Sequence, residues 1–278
     1  MYDVIIVGGG PAGISAALTL RARGKQTAIV GKGAAQSSLA KAERIENYPG
    51  VPSVSGKALL EIMTEQARAQ SVEFIEEKAL SAMPMGDMLF VSAGQNVLET
   101  RALILAGGVS RGKALPGEAE LLGAGVSYCA TCDGMLYRGK RVAVLGYAAD
   151  APEEAEFLRG VGCEVLYYDG KDVRGAVIHG EGRVEALEIG GETVPVDGVF
   201  VLRDSVSPEA FLPGLALDGS HIATQRDLST NIPGVFAAGD CVGTPYQIAK
   251  AVGDGNVAAL SAVKYLDELK KKANTEKE

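Results

Sequence analysis

The stretch Asp3 to Val30, DVIIVGGGPAGISAALTLRARGKQTAIV, decides the fold class. An apolar, β-branched run ends at Val7, and glycines cluster over 8–13. An amphipathic run then reaches Arg23, Gly24 punctuates, and a second apolar run closes at Val30. That order is strand, tight turn, helix, glycine stop, strand, the signature of a βαβ unit. A second stretch, Arg141 to Tyr168 (RVAVLGYAADAPEEAEFLRGVGCEVLYY), aligns with the first without a gap. Gly8 falls on Gly146 (146 − 8 = 138) and Gly24 on Gly162 at the same offset. The sequence therefore predicts an α/β chain with two Rossmann-like nucleotide-binding units in tandem.

Within the first unit, Gly8-Gly-Gly10-Pro11-Ala12-Gly13 has the GxGxxG spacing directly after a strand and at the start of a helix. The first glycine permits the turn and the second lets backbone approach a pyrophosphate. The third allows close packing of helix on strand, and the helix N-terminus offers free N–H groups and positive dipole to the phosphates. A dinucleotide is the expected ligand. An acidic residue normally ends the second strand and holds the ribose, but Gly31 and Lys32 stand there, with no Asp or Glu between Asp3 and Glu43. The adenosine end is expected to rest on backbone and Lys32.

Chain length and charge narrow the rest. The 278 residues are 47% hydrophobic, enough to bury a sizeable core in one large or two modest domains. The net charge of −8 disfavours general nucleic-acid binding, which needs a basic surface. Its distribution is uneven: residues 116–235 hold 9 Lys+Arg against 19 Asp+Glu, while residues 1–115 hold 12 against 10. The N-terminus runs straight into an apolar strand, with no basic leader and no apolar run of about 18 residues, so a cytoplasmic protein is expected.

Of the four cysteines only Cys129 and Cys132 are close in sequence. Redox and metal chemistry are the two readings open to them. A two-residue spacer at a helix start brings two sulfurs to bonding distance and lowers the pKa of the leading thiol. A zinc site would need two further ligands from Cys163, Cys241, His179 or His221, with no second compact pair to supply them. A redox dithiol fits the spacing better. Elsewhere the pattern predicts a helix over about 56–70 and strands near 184–189, 198–202 and 235–237. A final helix is predicted from about Pro245 to Lys270, its tail KKKANTEKE fraying into solvent.

Five motifs carry a family resemblance: GGGPAG at 8–13, ENYPG at 46–50, LPGE at 115–118, YCATCDG at 128–134 and GVFAAGD at 234–240. On these the chain resembles the low-molecular-weight thioredoxin reductases over nearly its whole length. The resemblance implies a homodimer with FAD as cofactor and thioredoxin as substrate. It implies a discontinuous FAD domain (1–115 and 230–278) and an inserted, truncated NADPH-like domain (116–229) carrying the CxxC, both of the three-layer ββα type. Gly239 and Asp240 would then contact the FAD pyrophosphate and ribityl region. Asn47, Gln247 and Ile248 would lie by the isoalloxazine, with the positive end of the last helix near the pyrimidine ring. Cys132 would face the flavin, Cys129 would attack the substrate disulfide, and Asp133 would exchange protons, though an acid there also suits a helix cap or the surface. Two departures touch the flavin environment: Gly107 stands where the family has Thr, and Tyr246 where it has Arg.

The second glycine turn has lost its chemistry. At the 138 offset Gly10 becomes Ala148 and Gly13 becomes Ala151, giving GYAADA, and Asp150 puts a carboxylate where phosphate would sit unless it caps the helix. The second strand ends Tyr167-Tyr168-Asp169-Gly170, without the His and Arg cluster that NADPH-using relatives carry for the 2′-phosphate. From Asp169 to Val196 the chain is shorter than theirs by roughly one βα unit of about 30 residues. NADPH is therefore not the expected reductant, and the resemblance narrows to the ferredoxin-dependent flavin thioredoxin reductases. Electrons would pass from ferredoxin to FAD, to Cys129/Cys132, to thioredoxin. The alternatives are an NADPH-dependent reductase with an atypical site and a flavin and dithiol redox sensor without turnover.

Overall fold

The computed structural model describes residues 1–31, 37–108, 114–203 and 206–275. It divides into two compact units, Met1–Ser110 with Phe211–Glu278, and Arg111–Ala210. In the first, β1 (Tyr2–Val7) leads into α1 (Pro11–Ala22) and β2 (Thr27–Val30). After these come α2 (Gly56–Ala69), β3 (Glu73–Ile75) and the meander β4 (Ala79–Met85), β5 (Met88–Ala93) and β6 (Asn96–Leu105). The second unit holds β7 (Val126–Ser127), α3 (Ala130–Asp133), β8 (Arg141–Gly146), α4 (Ala151–Gly160) and β9 (Glu164–Asp169). Its remaining strands are β10 (Val177–His179), β11 (Ala186–Ile189), β12 (Glu192–Pro195) and β13 (Gly198–Leu202). After α5 (Pro208–Phe211) the chain returns to the first unit with β14 (Leu217–Asp218), β15 (His221–Ile222), β16 (Val235–Ala237) and α6 (Ile248–Thr275).

The main sheet of the first unit runs β3-β2-β1-β6-β5-β4, with β16 also on β6. Strand β6 is long enough to hold two partners along one edge. Asn96 to Thr100 pair with antiparallel β5, and Leu103 to Leu105 pair with parallel β16. In the second unit the parallel sheet runs β7-β13-β8-β9, beside an antiparallel sheet β10-β11-β12. Strand β8 is buried on both faces by simple alternation: Val142 and Val144 pack with Leu158 of α4, and Ala143 and Leu145 pack with Leu187 of the antiparallel sheet.

Helices α1 and α4 close in the same way. Gly24 (φ +69°) donates to Arg21 O and Lys25 N–H to Leu20 O, while Gly162 (φ +96°) donates to Arg159 O and Cys163 N–H to Leu158 O. Both are Schellman closures, which need a left-handed residue and so select glycine. The units diverge after their second strand. The first uses residues 31–78 to pass through α2 and β3 before its meander, whereas the second goes from β9 to β10 through residues 170–176 alone. Among the described residues the second unit has no counterpart of α2 and β3.

One predicted boundary needs correction. The last helix begins at Ile248 and runs to Thr275, past the expected fraying point. Lysine and alanine are good helix formers, and lysines in a last turn are stabilised by the helix dipole. Among the described residues no helix is long and apolar enough to cross a membrane.

Candidate active site

The first glycine turn is shaped by three collisions that side chains would cause. Gly8 has φ +111°, and a Cβ there would strike Ala106 O; a Cβ on Gly13 would strike Gly8 O. Gly255 of α6 lies so close to Ala12 O that a methyl would not fit, which lets α6 cross α1 directly. Gly10 differs: a Cβ built there meets nothing within 4 Å. The backbone at the N-terminus of α1 is thus bare on its outer side, with Pro11 at the first helical position where no N–H is needed. This geometry fits a dinucleotide pyrophosphate.

Other expected cofactor residues gather in the same unit. Gly239 (φ +87°) packs against Ala12, a Cβ there falling 2.9 Å from Ala12 Cβ. Asn47 donates to Gln247 Oε1 at 3.0 Å across a separation of 200 residues, one position before α6 begins at Ile248. Gly107, like Gly10, has open space on its Cβ side. Burial pushes the Asp240 carboxyl above the usual carboxylate range, Lys250 opposes that, and Asp254 adds to it. Lys32 lies outside the described residues.

Sequence reasoning missed the support beneath Asp240. Lys250 Nζ donates to Gly239 O (2.7 Å) and Gly243 O (2.8 Å) and pairs with Asp254 (2.9 Å), whose carboxylate accepts from Gly239 N–H at 3.1 Å. The pair sits at i,i+4 on α6, a spacing common enough to carry no signal. His221 Nε2 meets Tyr246 Oη at 2.7 Å, so neither is an isolated surface group.

In the second unit Cys129 and Cys132 are joined as a disulfide, with Cα atoms 5.4 Å apart. Cys129 is the N-cap of α3, its Sγ accepting from Cys132 N–H at 3.2 Å. A thiolate there would gain from the same donor. Cys129 is buried and Cys132 half-buried. Asp133 Oδ2 accepts from Ser127 Oγ at 2.7 Å, and Glu154 of α4 accepts from Ala130 N–H at 3.1 Å. Cys163 and Cys241 are buried free thiols that donate to backbone carbonyls; burial pushes Cys241 up to about 12.

The turn after β8 is occupied from within. Leu202 O accepts from both Tyr147 N–H and Ala148 N–H at 2.9 Å, so both amides of the turn are already bonded within the unit. A Cβ on Gly146 would strike Tyr167 Oη, and the Arg203 guanidinium lies over the Tyr147 ring, 4.8 Å from its centroid. Arg203 in turn grips both carboxylate oxygens of buried Glu118, which also accepts from Tyr128 Oη at 3.1 Å. Burial, then Glu118, pushes the Tyr128 phenol well up. Asp150 stands at the N-cap position of α4, its carbonyl accepting from Glu153 and Glu154 N–H.

A dinucleotide cradle on one Rossmann unit and a CxxC disulfide at a helix start on another define a nucleotide-type disulfide oxidoreductase. Residues 2–188 match the family model described as pyridine nucleotide-disulphide oxidoreductase. The chain belongs to that family and, within it, to the thioredoxin reductases. It is 32% identical to thioredoxin reductase of Listeria monocytogenes over 99% of this chain and 97% of that one. That alignment spans 315 positions against a chain of 278, so the relative carries segments this chain lacks. Among solved structures it is similar to a ferredoxin-flavin thioredoxin reductase from Clostridium acetobutylicum (42% identity, 97% of this chain and 98% of that one, TM-score 0.89). It is also similar to a thioredoxin reductase from Gloeobacter violaceus (32%, 96% and 94%, TM-score 0.78).

Proposed function

We propose that this chain is an FAD-dependent thioredoxin reductase whose electrons come from reduced ferredoxin rather than NADPH. The observation that carries the choice of donor is the closed second turn. Leu202 O engages the Tyr147 and Ala148 N–H groups of the turn, buried Ala148 stands where the first turn has Gly10, and Asp150 adds a carboxylate. The similarity to a ferredoxin-flavin thioredoxin reductase supports the same donor.

FAD, held by the Gly8–Gly13 turn, Gly107, Gly239 and Asp240, with Asn47, Gln247 and Ile248 toward its ring, supplies the exchange between one-electron and two-electron chemistry. Cys129 and Cys132 then act on the substrate. As a thiolate at a helix N-terminus, Cys129 attacks a thioredoxin sulfur, and Cys132 resolves the mixed disulfide. Asp133 moves the proton. Exposed Met135 and Leu136, directly after the CxxC turn, offer the protein substrate an apolar contact. The reading includes two subunits and a cytoplasmic setting, where thiol pools stay reduced.

Anaerobic mixing tests the donor. Flavin absorbance at its visible maximum is expected to bleach with reduced ferredoxin and to persist with NADPH. Rapid, stoichiometric bleaching by NADPH would overturn the assignment.

A further inference from the structure

We infer that Ser127 is a positioning residue that aims the Asp133 carboxyl at the reacting sulfurs. The inference rests on the reading above, in which Cys129, Cys132 and Asp133 carry the exchange. Ser127 ends β7, is 3% exposed, and is held by the pairing of its own backbone with Phe200 of β13. Its hydroxyl accepts from Cys129 N–H at 3.1 Å and donates to Asp133 Oδ2 at 2.7 Å; Cys129 O, at 3.2 Å, is the poorer acceptor. One hydroxyl therefore joins the backbone of the leading cysteine to the acid four residues on. A donor and acceptor in one chain polarise each other, so the link is stiffer than two separate bonds.

The groups facing Asp133 do not duplicate this role. Tyr137, from the turn after α3, has its phenol pushed up by burial first and then by Asp133 and Asp197. Glu154, from α4, binds Ala130 N–H. Cys163, ahead of β9, donates to Gly134 O and Tyr137 O and is pushed up by burial. Ser127 alone among these donates to the Asp133 carboxylate.

The chemistry needs an aimed acid. The Cys129 thiolate attacks one substrate sulfur, the substrate S–S bond breaks, and the departing sulfur takes a proton from the Asp133 carboxyl. The Cys132 sulfur then attacks Cys129, reforming their disulfide. Its thiol proton passes through the emptied Asp133 carboxylate to the second departing sulfur. Two electrons and two protons leave the enzyme, and Asp133 ends ionised. A leaving thiol of low pKa needs no such proton, because it departs readily as thiolate.

That difference supplies the test. The full-length, FAD-loaded protein, reduced photochemically, is mixed with bis(2-hydroxyethyl) disulfide or with 5,5′-dithiobis(2-nitrobenzoate). Ser127→Ala is expected to slow the alkyl disulfide about tenfold, a share of the usual contribution of an acid catalyst, and to leave the aromatic one within about twofold. Ser127→Thr, which keeps the hydroxyl, should restore the first rate, and Ser127→Ala should add little to Asp133→Asn. A parallel loss with both disulfides, or no loss with either, overturns the inference. If wild type reduces both small disulfides but not thioredoxin, the proposed function fails while this test still stands.

Discussion

Gly8–Gly13 and Gly146–Ala151 occupy the same place in two βαβ units, yet one is open and the other closed. In the first, Gly8 is left-handed and Gly10 has nothing beside it; in the second, two amides turn inward to Leu202 O and Tyr147 lies under Arg203. The helix closures at Gly24 and Gly162 stayed alike. A βαβ frame thus keeps its helix closure while its glycine turn changes, because the two depend on different glycines.

The comparison predicts that the second unit works through its cysteines. Cys129→Ser should lower thioredoxin reduction by at least about a thousandfold, the scale for losing a nucleophile, with flavin content unchanged by absorbance. Less than a tenfold loss would remove Cys129 from that role. Matched substitutions probe the turns themselves. Gly13→Ala should destabilise the first unit by about 1–3 kcal/mol through overpacking and shed flavin. Ala151→Gly should cost about 1 kcal/mol or less and leave flavin intact. Urea unfolding and absorbance read both, and equal flavin loss would erase the contrast.

Lys250→Met removes a charged donor from two carbonyls, so FAD should bind roughly tenfold more weakly, measured by fluorescence on dilution. Cys241 gives a pH signature. Its thiol sits at about 12 in the fold against 9.0 as the ordinary value. Between those values the unfolded chain has lost the proton that the native state keeps, so stability falls as pH rises, by up to about 1.4 kcal/mol per unit. It is fully present below 9.0. Cys241→Ala should flatten the urea midpoint between pH 8 and pH 10 relative to wild type. The smallest effect is expected from Ala148→Gly with Ala151→Gly: NADPH should still fail to bleach the flavin, because Leu202 O keeps its two donors.

What the sequence revealed was local. Strand and helix periodicity and the CxxC each lie within about 30 residues, the span over which a pattern fixes its own neighbours, and the offset of 138 compares two such spans. The missing counterpart of α2 and β3 was legible as a short connection. The support for these parts was not. Asn47 meets Gln247 200 residues away, Leu202 closes a turn at 147–148, and Ser127 reaches Asp133 only because a short strand and a short helix bend together. Such pairs leave no periodic trace. The last helix outran its predicted end because the pattern tracked apolar faces, while Lys270–Thr275 continues on propensity and dipole.

The double edge of β6 has a consequence for biosynthesis. Leu103 to Leu105 wait for Val235 to Ala237, which leave the ribosome some 130 residues later. The amino-terminal sheet emerges early with a gap in its edge, while Arg111–Ala210 has every strand of its own sheets in hand before β16 is translated. The nascent chain can therefore complete the cysteine-bearing unit first, and the first unit only when its last strand arrives.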